Sequence, residues 1–246
     1  MLTQARTRAV ANRHWVTLLI LVGIGSLAGC SARRAERPAV PPPAVEPQAG
    51  PVIPRGARLY TIDADRSLVT LRVYRAGPLA RLGHNHVITS TQELGYAWTT
   101  GDPAASGFAV RVPVAGLVVD DPAARASAGP DFPGEVPADA RDGTRRNLLR
   151  PEVLDADRYP EIVVRADALA GTWEQPSVAA QVTLKDQTRS IEVPLTVSRD
   201  VTALTARGTF WIRQSDFGIT PFSVGGGAIQ VADQVEVTFE IRATAR

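Results

Sequence analysis

The stretch LTARGTFWIR at residues 204–213 alternates apolar and polar side chains along its whole length. The segment VEVTFEIR at residues 235–242 repeats the same alternation. Successive side chains of a β-strand point to opposite faces of a sheet, so a period of two indicates strands with one buried face. An amphipathic helix would instead space its apolar residues three and four positions apart. The two stretches therefore predict a half-buried antiparallel sheet.

Several further segments share this alternation and extend the predicted sheet. With the segments near residue 61 and at 93–99, they give about eight or nine strands that share one apolar face. Closing such a sheet into a barrel removes the exposed edges that an open sheet carries. The predicted fold class is therefore all-β with a minor α part, built as an extended antiparallel eight-stranded β-barrel. The further alternating segments are 69–73, 108–114, 162–164, 178–184 and 191–197.

The region from Asp121 to Tyr159 interrupts the alternation. It mixes Ala, Val and Leu with Asp and Arg, and it is divided by Gly129-Pro130 and closed by Tyr159-Pro160. Glycine and proline are the strongest local breaks of regular structure, so this pattern predicts short helices between them. A helical insertion in a barrel can cap one mouth or cover an edge, and the minor α part is expected here.

Charge and composition exclude one class of function. The chain has 246 residues, 44% of them hydrophobic, which is enough for one large domain with a real core. The formal net charge is +2, but Arg6, Arg8 and Arg13 all precede the first acidic residue. The basic balance therefore mostly describes the first residues of the chain. It gives no support to nucleic-acid binding, which needs a clustered basic face.

The first 29 residues have the pattern of a bacterial lipoprotein signal peptide. A basic start is followed by an apolar run at 15–28, which is shorter than the roughly 20 residues that span a bilayer as a helix. The sequence Leu27-Ala28-Gly29-Cys30 resembles a lipobox, in which the cysteine carries the acyl anchor. The alternative is a stray cysteine in an ordinary signal peptide. Cys30 is the single cysteine of the chain, so no intrachain disulfide is expected.

Residues 30–57 hold seven prolines and predict an extended tether between the lipid anchor and a folded domain at 58–246. Ser31, rather than Asp, follows the cysteine. This choice resembles the sorting pattern of outer-membrane lipoproteins. The expected location is therefore the outer membrane, with the domain facing the periplasm and held to the membrane by its anchor.

Several segments match, in order, those of a known family. They are YTIDADRS at 60–67, RRNLLRPEVLDADRYPEIVVRA at 145–166, QVTLKDQTRSIEVPLTV at 181–197, GTFWIRQSDFGI at 208–219 and QVEVTFEIRA at 234–243. This combination resembles the YceI-like family of bacterial envelope proteins over residues 58–246. The resemblance implies a lipocalin-like barrel with a helical lid and no catalytic constellation. Some members of the family enclose a polyisoprenoid chain in an apolar tunnel.

The expected function is therefore non-catalytic carriage or storage of an isoprenoid or another apolar, lipid-like molecule inside the barrel. No cofactor is expected apart from a bound polyisoprenoid or quinone-like lipid, and a homodimer is left open. The sequence does not separate a hollow barrel from one filled by its own side chains. The residues predicted to line the ligand are Val69, Leu71, Val73, Val110, Val112, Ile162, Val164, Phe210, Ile212, Phe217, Val237 and Phe239.

His84 and His86 are the histidines that follow the signal sequence. In a strand both rings would face the same way, which leaves three interpretations open. They are structural hydrogen bonds near the bend after Gly83, contact with a polar ligand head group at the tunnel mouth, and a metal site. A zinc site needs three or four protein ligands, so Asp or Glu would have to complete it. The alternatives to a ligand carrier are thus a metal-binding envelope protein and an interaction module without cargo.

Overall fold

A computed structural model describes residues 50–246. The predicted signal peptide at 1–29, Cys30 and the tether up to residue 49 lie outside the described residues. Within the described part, Gly50–Ala57 carries no strand, and the first strand begins at Arg58. No helix of this part is long and apolar enough to cross a membrane.

The described chain forms one antiparallel sheet with two helices, so the predicted all-β class with a minor α part is confirmed. The helices are α1 (Pro122–Ser127) and α2 (Ala138–Leu149). The strands are β1 (Arg58–Ile62), β2 (Leu68–Ala76), β3 (His86–Ser90), β4 (Leu94–Thr99), β5 (Gly107–Pro113), β6 (Val118–Val119), β7 (Glu161–Ala166), β8 (Ala170–Gly171), β9 (Pro176–Leu184), β10 (Gln187–Pro194), β11 (Thr196–Arg199), β12 (Ala203–Arg213), β13 (Ser223–Val224) and β14 (Ile229–Ala245).

The fourteen segments group into eight long runs, because short breaks divide several of the predicted strands. A 3-10 turn at Ala64–Arg66 separates β1 from β2, yet both pair with β14. In the same way β4 pairs with β1, and β3 pairs with β2. The runs are β1–β2, β3–β4, β5–β6, β7, β9, β10–β11, β12 and β14, with β8 and β13 as short additions to β9 and β14.

The predicted barrel is not closed by continuous ladders, because the sheet has one seam at Pro194 and Leu195. Before the seam β10 pairs with β9, and after it β11 pairs with β12. Pro194 has no N–H to give to a ladder, and the N–H of Leu195 donates to the carbonyl oxygen of Pro176 at 3.1 Å. The sheet therefore returns on itself through the covalent chain at residues 187–199.

Both helices lie in the predicted insertion at 121–159. Asp121 caps α1, because its Oδ1 accepts hydrogen bonds from the N–H groups of Ala123 and Ala124, both at 3.0 Å. Pro122 suits the first helical position, where no hydrogen bond to its nitrogen is needed. Leu148 and Leu149 of α2 pack against the largest buried apolar cluster of the sheet.

We call the end of the sheet that carries α1, α2 and the start of β14 the helical end. The opposite end carries Arg58 and Arg246. The backbone N–H of Arg246 donates to the carbonyl oxygen of Leu59 at 3.0 Å. Three clusters of buried apolar residues lie along the sheet. Most of their residues occupy inward positions of the alternating segments, as the period of two predicts. Leu117, Leu154, Phe217 and Ile219 join the largest cluster from outside the strands.

Candidate functional site

The sheet surrounds a cavity of about 370 Å³. This volume falls within the range of roughly 300–1,000 Å³ that is usual for small-molecule sites. The cavity answers the question that the sequence leaves open, since the interior of the sheet is hollow. Polar residues are a small minority of the lining; they are His86, Thr99, Ser106, Thr144, Asn147 and Gln214.

Eleven of the twelve residues predicted to line a ligand are part of the cavity wall. They come from five of the eight runs, because each run places alternate side chains toward the interior. Their contact with a ligand stays a prediction. The eleven are Val69, Leu71, Val73, Val110, Val112, Ile162, Val164, Phe210, Ile212, Val237 and Phe239.

Phe217 is not part of the cavity wall. It is 1% exposed and packs in the largest buried cluster, outside the alternation of β12. The 3-10 turn Gln214–Phe217 breaks the period of two directly after that strand. Asp233 holds this turn, since its carboxylate accepts from the backbone N–H of Ser215 at 2.8 Å and from the Ser215 hydroxyl at 2.6 Å.

Sequence reasoning missed part of the wall. Val178, Ala180 and Val182 line the cavity, and their alternation along β9 is the signal that could have placed them there. Asn147 and Leu148 of α2 also line it, so the helical insertion closes part of the interior at the helical end. No periodic pattern reveals such a contribution, because it depends on how α2 packs on the sheet.

His86 starts β3, lines the cavity and pairs with a buried carboxylate. Its Nδ1 lies 2.6 Å from Oδ2 of Asp120, whose side chain has no exposed surface. The other carboxylate oxygen of Asp120 accepts from the backbone N–H of Val87 at 2.9 Å. This pair fixes the ring orientation of His86 and leaves its Nε2 without a protein partner in residues 50–246.

Arg125 of α1 completes this buried polar network. It is 3% exposed, and its Nη1 donates to Oδ1 of Asp120 at 2.8 Å and to the carbonyl oxygen of Asn85 at 2.7 Å. Its Nε donates to the carbonyl oxygen of Gly134 at 2.8 Å. The network therefore ties α1 and the following loop to the start of β3.

The surroundings of Asp120 favour its ionised form. Burial by itself raises the pKa of this carboxyl group, but the hydrogen bonds from His86 and Val87 and the charge of Arg125 outweigh burial. The net result is a pKa below the ordinary value for aspartate. Asp120 is therefore a buried anion held by three donors.

The described residues provide no set of ligands for the metal interpretation of the two histidines. His84 is exposed, and its ring centroid lies 6.4 Å from that of His86. Within residues 50–246, no group of three or more His, Cys, Asp or Glu side chains is arranged to hold one metal ion. His86 instead makes the hydrogen bond to a carboxylate that the structural interpretation expects.

Glu93 is a second buried carboxyl group, between β3 and β4, that the sequence did not mark. The residue is 0% exposed, and neither carboxylate oxygen makes a hydrogen bond of normal geometry with the described chain. Burial raises the pKa of Glu93, while the nearby Ser90 hydroxyl and the Glu93 backbone oppose that rise. Folding therefore shifts Glu93 toward the neutral acid relative to the unfolded chain.

Replacing Glu93 with Gln is expected to stabilise the protein at neutral pH. Folding raises the pKa of Glu93, so the stability that this carboxyl group contributes to the folded state is fully present below its unfolded pKa of about 4.3. That stability is lost as the pH rises through the folded pKa. A neutral amide avoids that loss, so we expect a gain of at least about 1 kcal/mol at pH 7.5. Urea unfolding from pH 4 to pH 8 measures it.

The control for this prediction is Glu192→Gln, which makes the same chemical change at an exposed position of β10. Its stability should follow that of the wild type within about 0.5 kcal/mol. The interpretation of Glu93 fails if Glu93→Gln lowers stability by a similar amount at every pH.

Comparison with known proteins identifies the fold. The family model of the YceI-like domain matches residues 60–243. BcnA of Burkholderia cenocepacia is 17% identical, with a TM-score of 0.52 over 74% of this chain and 98% of its own. A polyisoprenoid binding domain from Saccharophagus degradans, implicated in plant cell wall breakdown, is 13% identical, with a TM-score of 0.47 over 76% of this chain and 98% of its own. No match was found among curated proteins.

The matched range runs from the third residue of β1 to near the end of β14. It takes in the whole wall of the cavity, both helices and the network around Asp120. These are also the residues that carry the resemblance seen in the sequence. The chain therefore belongs to the YceI-like family.

Proposed function

We propose that the protein is a bacterial cell-envelope lipoprotein that carries or stores an isoprenoid or similar apolar molecule inside its β-sheet. The observation that supports this most directly is the cavity of about 370 Å³ with an almost wholly apolar wall. Apolar burial is non-directional and contributes about 25 cal/mol per Å². A wall of this kind therefore favours a long hydrocarbon chain over a polar metabolite.

The ligand proposed here is a polyisoprenoid or a quinone-like lipid. Members of the YceI-like family that enclose a polyisoprenoid chain support the first of these. A few polar groups at the ends of an apolar site usually fix the orientation of the ligand. With Nδ1 of His86 directed to Asp120, Nε2 is the ring nitrogen left to contact a hydroxyl head group.

The proposed role involves no catalysis, and the place of the protein is the periplasmic face of the outer membrane. The lipobox at Leu27–Cys30 and the proline-rich tether support this location. Acyl chains on Cys30 would hold the domain to the bilayer, because two or more chains anchor a protein stably where one is marginal.

Solvent extraction followed by mass spectrometry tests the proposed function. Residues 30–246 carrying Cys30→Ser are exported behind an ordinary cleavable signal peptide and purified from a bacterial periplasm without detergent, so that no acyl anchor contributes lipid. We expect close to one isoprenoid or quinone-like molecule per chain. The proposal is abandoned if repeated preparations are empty and the protein also takes up no fluorescent isoprenoid alcohol. An empty protein that retains a stable protein partner would support an interaction module instead.

A further inference from the structure

Large apolar side chains are exposed together at the helical end. Leu79 and Leu82 lie between β2 and β3, and they are 37% and 58% exposed. Phe222 and Val224 lie at β13, and they are 38% and 45% exposed. Single exposed apolar residues are common on soluble proteins, but a contiguous group marks an interaction site.

Backbone contacts make these four residues neighbours across the start of β14. The N–H of Leu79 donates to the carbonyl oxygen of Ala228 at 2.8 Å, so the loop after β2 rests on the turn before β14. Val224 of β13 pairs with Ile229 on the same stretch of chain. We call residues 75–85 and 218–229 the rim.

The rim is cationic as well as apolar. It contains Arg75 and Arg81 and no aspartate or glutamate. Both arginines are exposed, and neither forms a salt bridge within residues 50–246. The guanidinium of Arg75 donates to the carbonyl oxygen of Gly83 at 2.7 Å, which fixes one positive charge beside the loop. A surface that combines apolar side chains with unpaired arginines is complementary to an anionic lipid bilayer.

The rim is continuous with the cavity. Phe222 is 38% exposed and also lines the cavity, so it links the interior wall to the surface at this end. Val231, at the start of β14, continues the wall inward. A ligand that partitions into lipid could therefore pass between a bilayer and the cavity beside Phe222 without crossing water.

We propose that the rim docks on the surface of an anionic lipid bilayer. Leu79, Leu82 and Val224 enter the boundary between head groups and acyl chains, and Arg81 binds lipid phosphate. The transfer of cargo at this site rests on the proposed function, whereas the docking itself does not. The lipid anchor keeps the domain near a membrane, and the rim decides which end of the domain faces the lipid.

Vesicle flotation tests the docking without any cargo. Residues 30–246 carrying Cys30→Ser, which lack the apolar run at 15–28, are mixed with vesicles of phosphatidylcholine, or of phosphatidylcholine and phosphatidylglycerol in equal parts. We expect the wild type to float with the anionic vesicles. Leu82→Glu should lower the partition coefficient about tenfold, because it replaces an inserted leucine with a charge. Arg81→Glu should lower binding to the anionic vesicles roughly fivefold or more.

The matched control is Val201→Glu, at the opposite end of the sheet, where the valine is 66% exposed. It makes a similar change in charge and should bind vesicles like the wild type. The proposal is overturned if the wild type binds neither vesicle or if Leu82→Glu and Val201→Glu bind alike. It is also overturned if Leu82→Glu only dissociates a dimer, which would make the rim a contact between two copies. None of these outcomes changes the mass-spectrometric test of cargo.

Discussion

Replacing Ala180 with Phe is expected to lower the amount of the proposed apolar ligand that purifies with the protein by at least about tenfold. Ala180 is 2% exposed and lines the cavity in the middle of β9. A phenyl ring at this position would extend into the space that a ligand would fill. The sheet can accommodate the ring because the space is empty of protein atoms, so the loss of cargo should come without unfolding.

The adjoining residue supplies the matched control. Ala179 is exposed on the outer face of β9, since successive side chains of a strand point to opposite faces. Ala179→Phe adds the same ring outside the sheet and should retain cargo at the wild-type level. Mass spectrometry of solvent extracts gives cargo per chain, and thermal unfolding verifies the fold. Equal cargo in the two variants would mean that the ligand does not occupy the cavity.

Removing the carboxylate of Asp120 is expected to cost about 3–5 kcal/mol of unfolding free energy. The Asp120→Ala protein keeps Arg125 buried at 3% exposure but loses the anion that its guanidinium contacts. It also leaves Nδ1 of His86 and the N–H of Val87 without their partner. A loss of this size is a large part of the roughly 5–15 kcal/mol by which a folded domain is ordinarily stable.

Asp121→Ala is the comparison for this variant, because the two aspartates are neighbours with different roles. Asp121 caps α1, and the loss of such a cap costs about 1 kcal/mol. Urea unfolding followed by tryptophan fluorescence measures both. Since folding lowers the pKa of Asp120, the stability that its carboxylate contributes is present above the unfolded pKa of about 3.9. This stability is lost as the pH falls through the folded pKa. Similar losses in both variants would contradict the role given to Asp120.

The alternating segments were sufficient to predict the sheet and eleven residues of the cavity wall. The period of two fixes which side chains face inward, and it holds through strand breaks, as β1 and β2 show by pairing with the same strand. It fails where a turn replaces the strand. Phe217 sits in the 3-10 turn after β12, so its side chain packs in the core rather than on the cavity wall.

The polar part of the site could not be predicted in the same way, because it depends on contacts between distant parts of the chain. The partner of His86 is Asp120, which lies 34 positions away, so the segment around the two histidines does not reveal it. Nothing in the local sequence distinguishes Glu93 from an exposed glutamate in a loop. Whether the interior is hollow depends on the spacing between opposite walls, which no single segment encodes.

The pairing of β1 with β14 has a consequence for the order of assembly. The side chain of Arg246 donates to Thr61 Oγ1 at 2.6 Å across a separation of 185 positions. Contacts between such remote positions require closure of very long loops, and proteins rich in them fold slowly. The first strands to be synthesised therefore keep an unpaired edge until the last strand of the chain is available, and exposed edges of this kind promote aggregation. Completion of the wall depends on β14, so a chain in which this strand has not yet paired would expose the apolar interior that the finished sheet encloses.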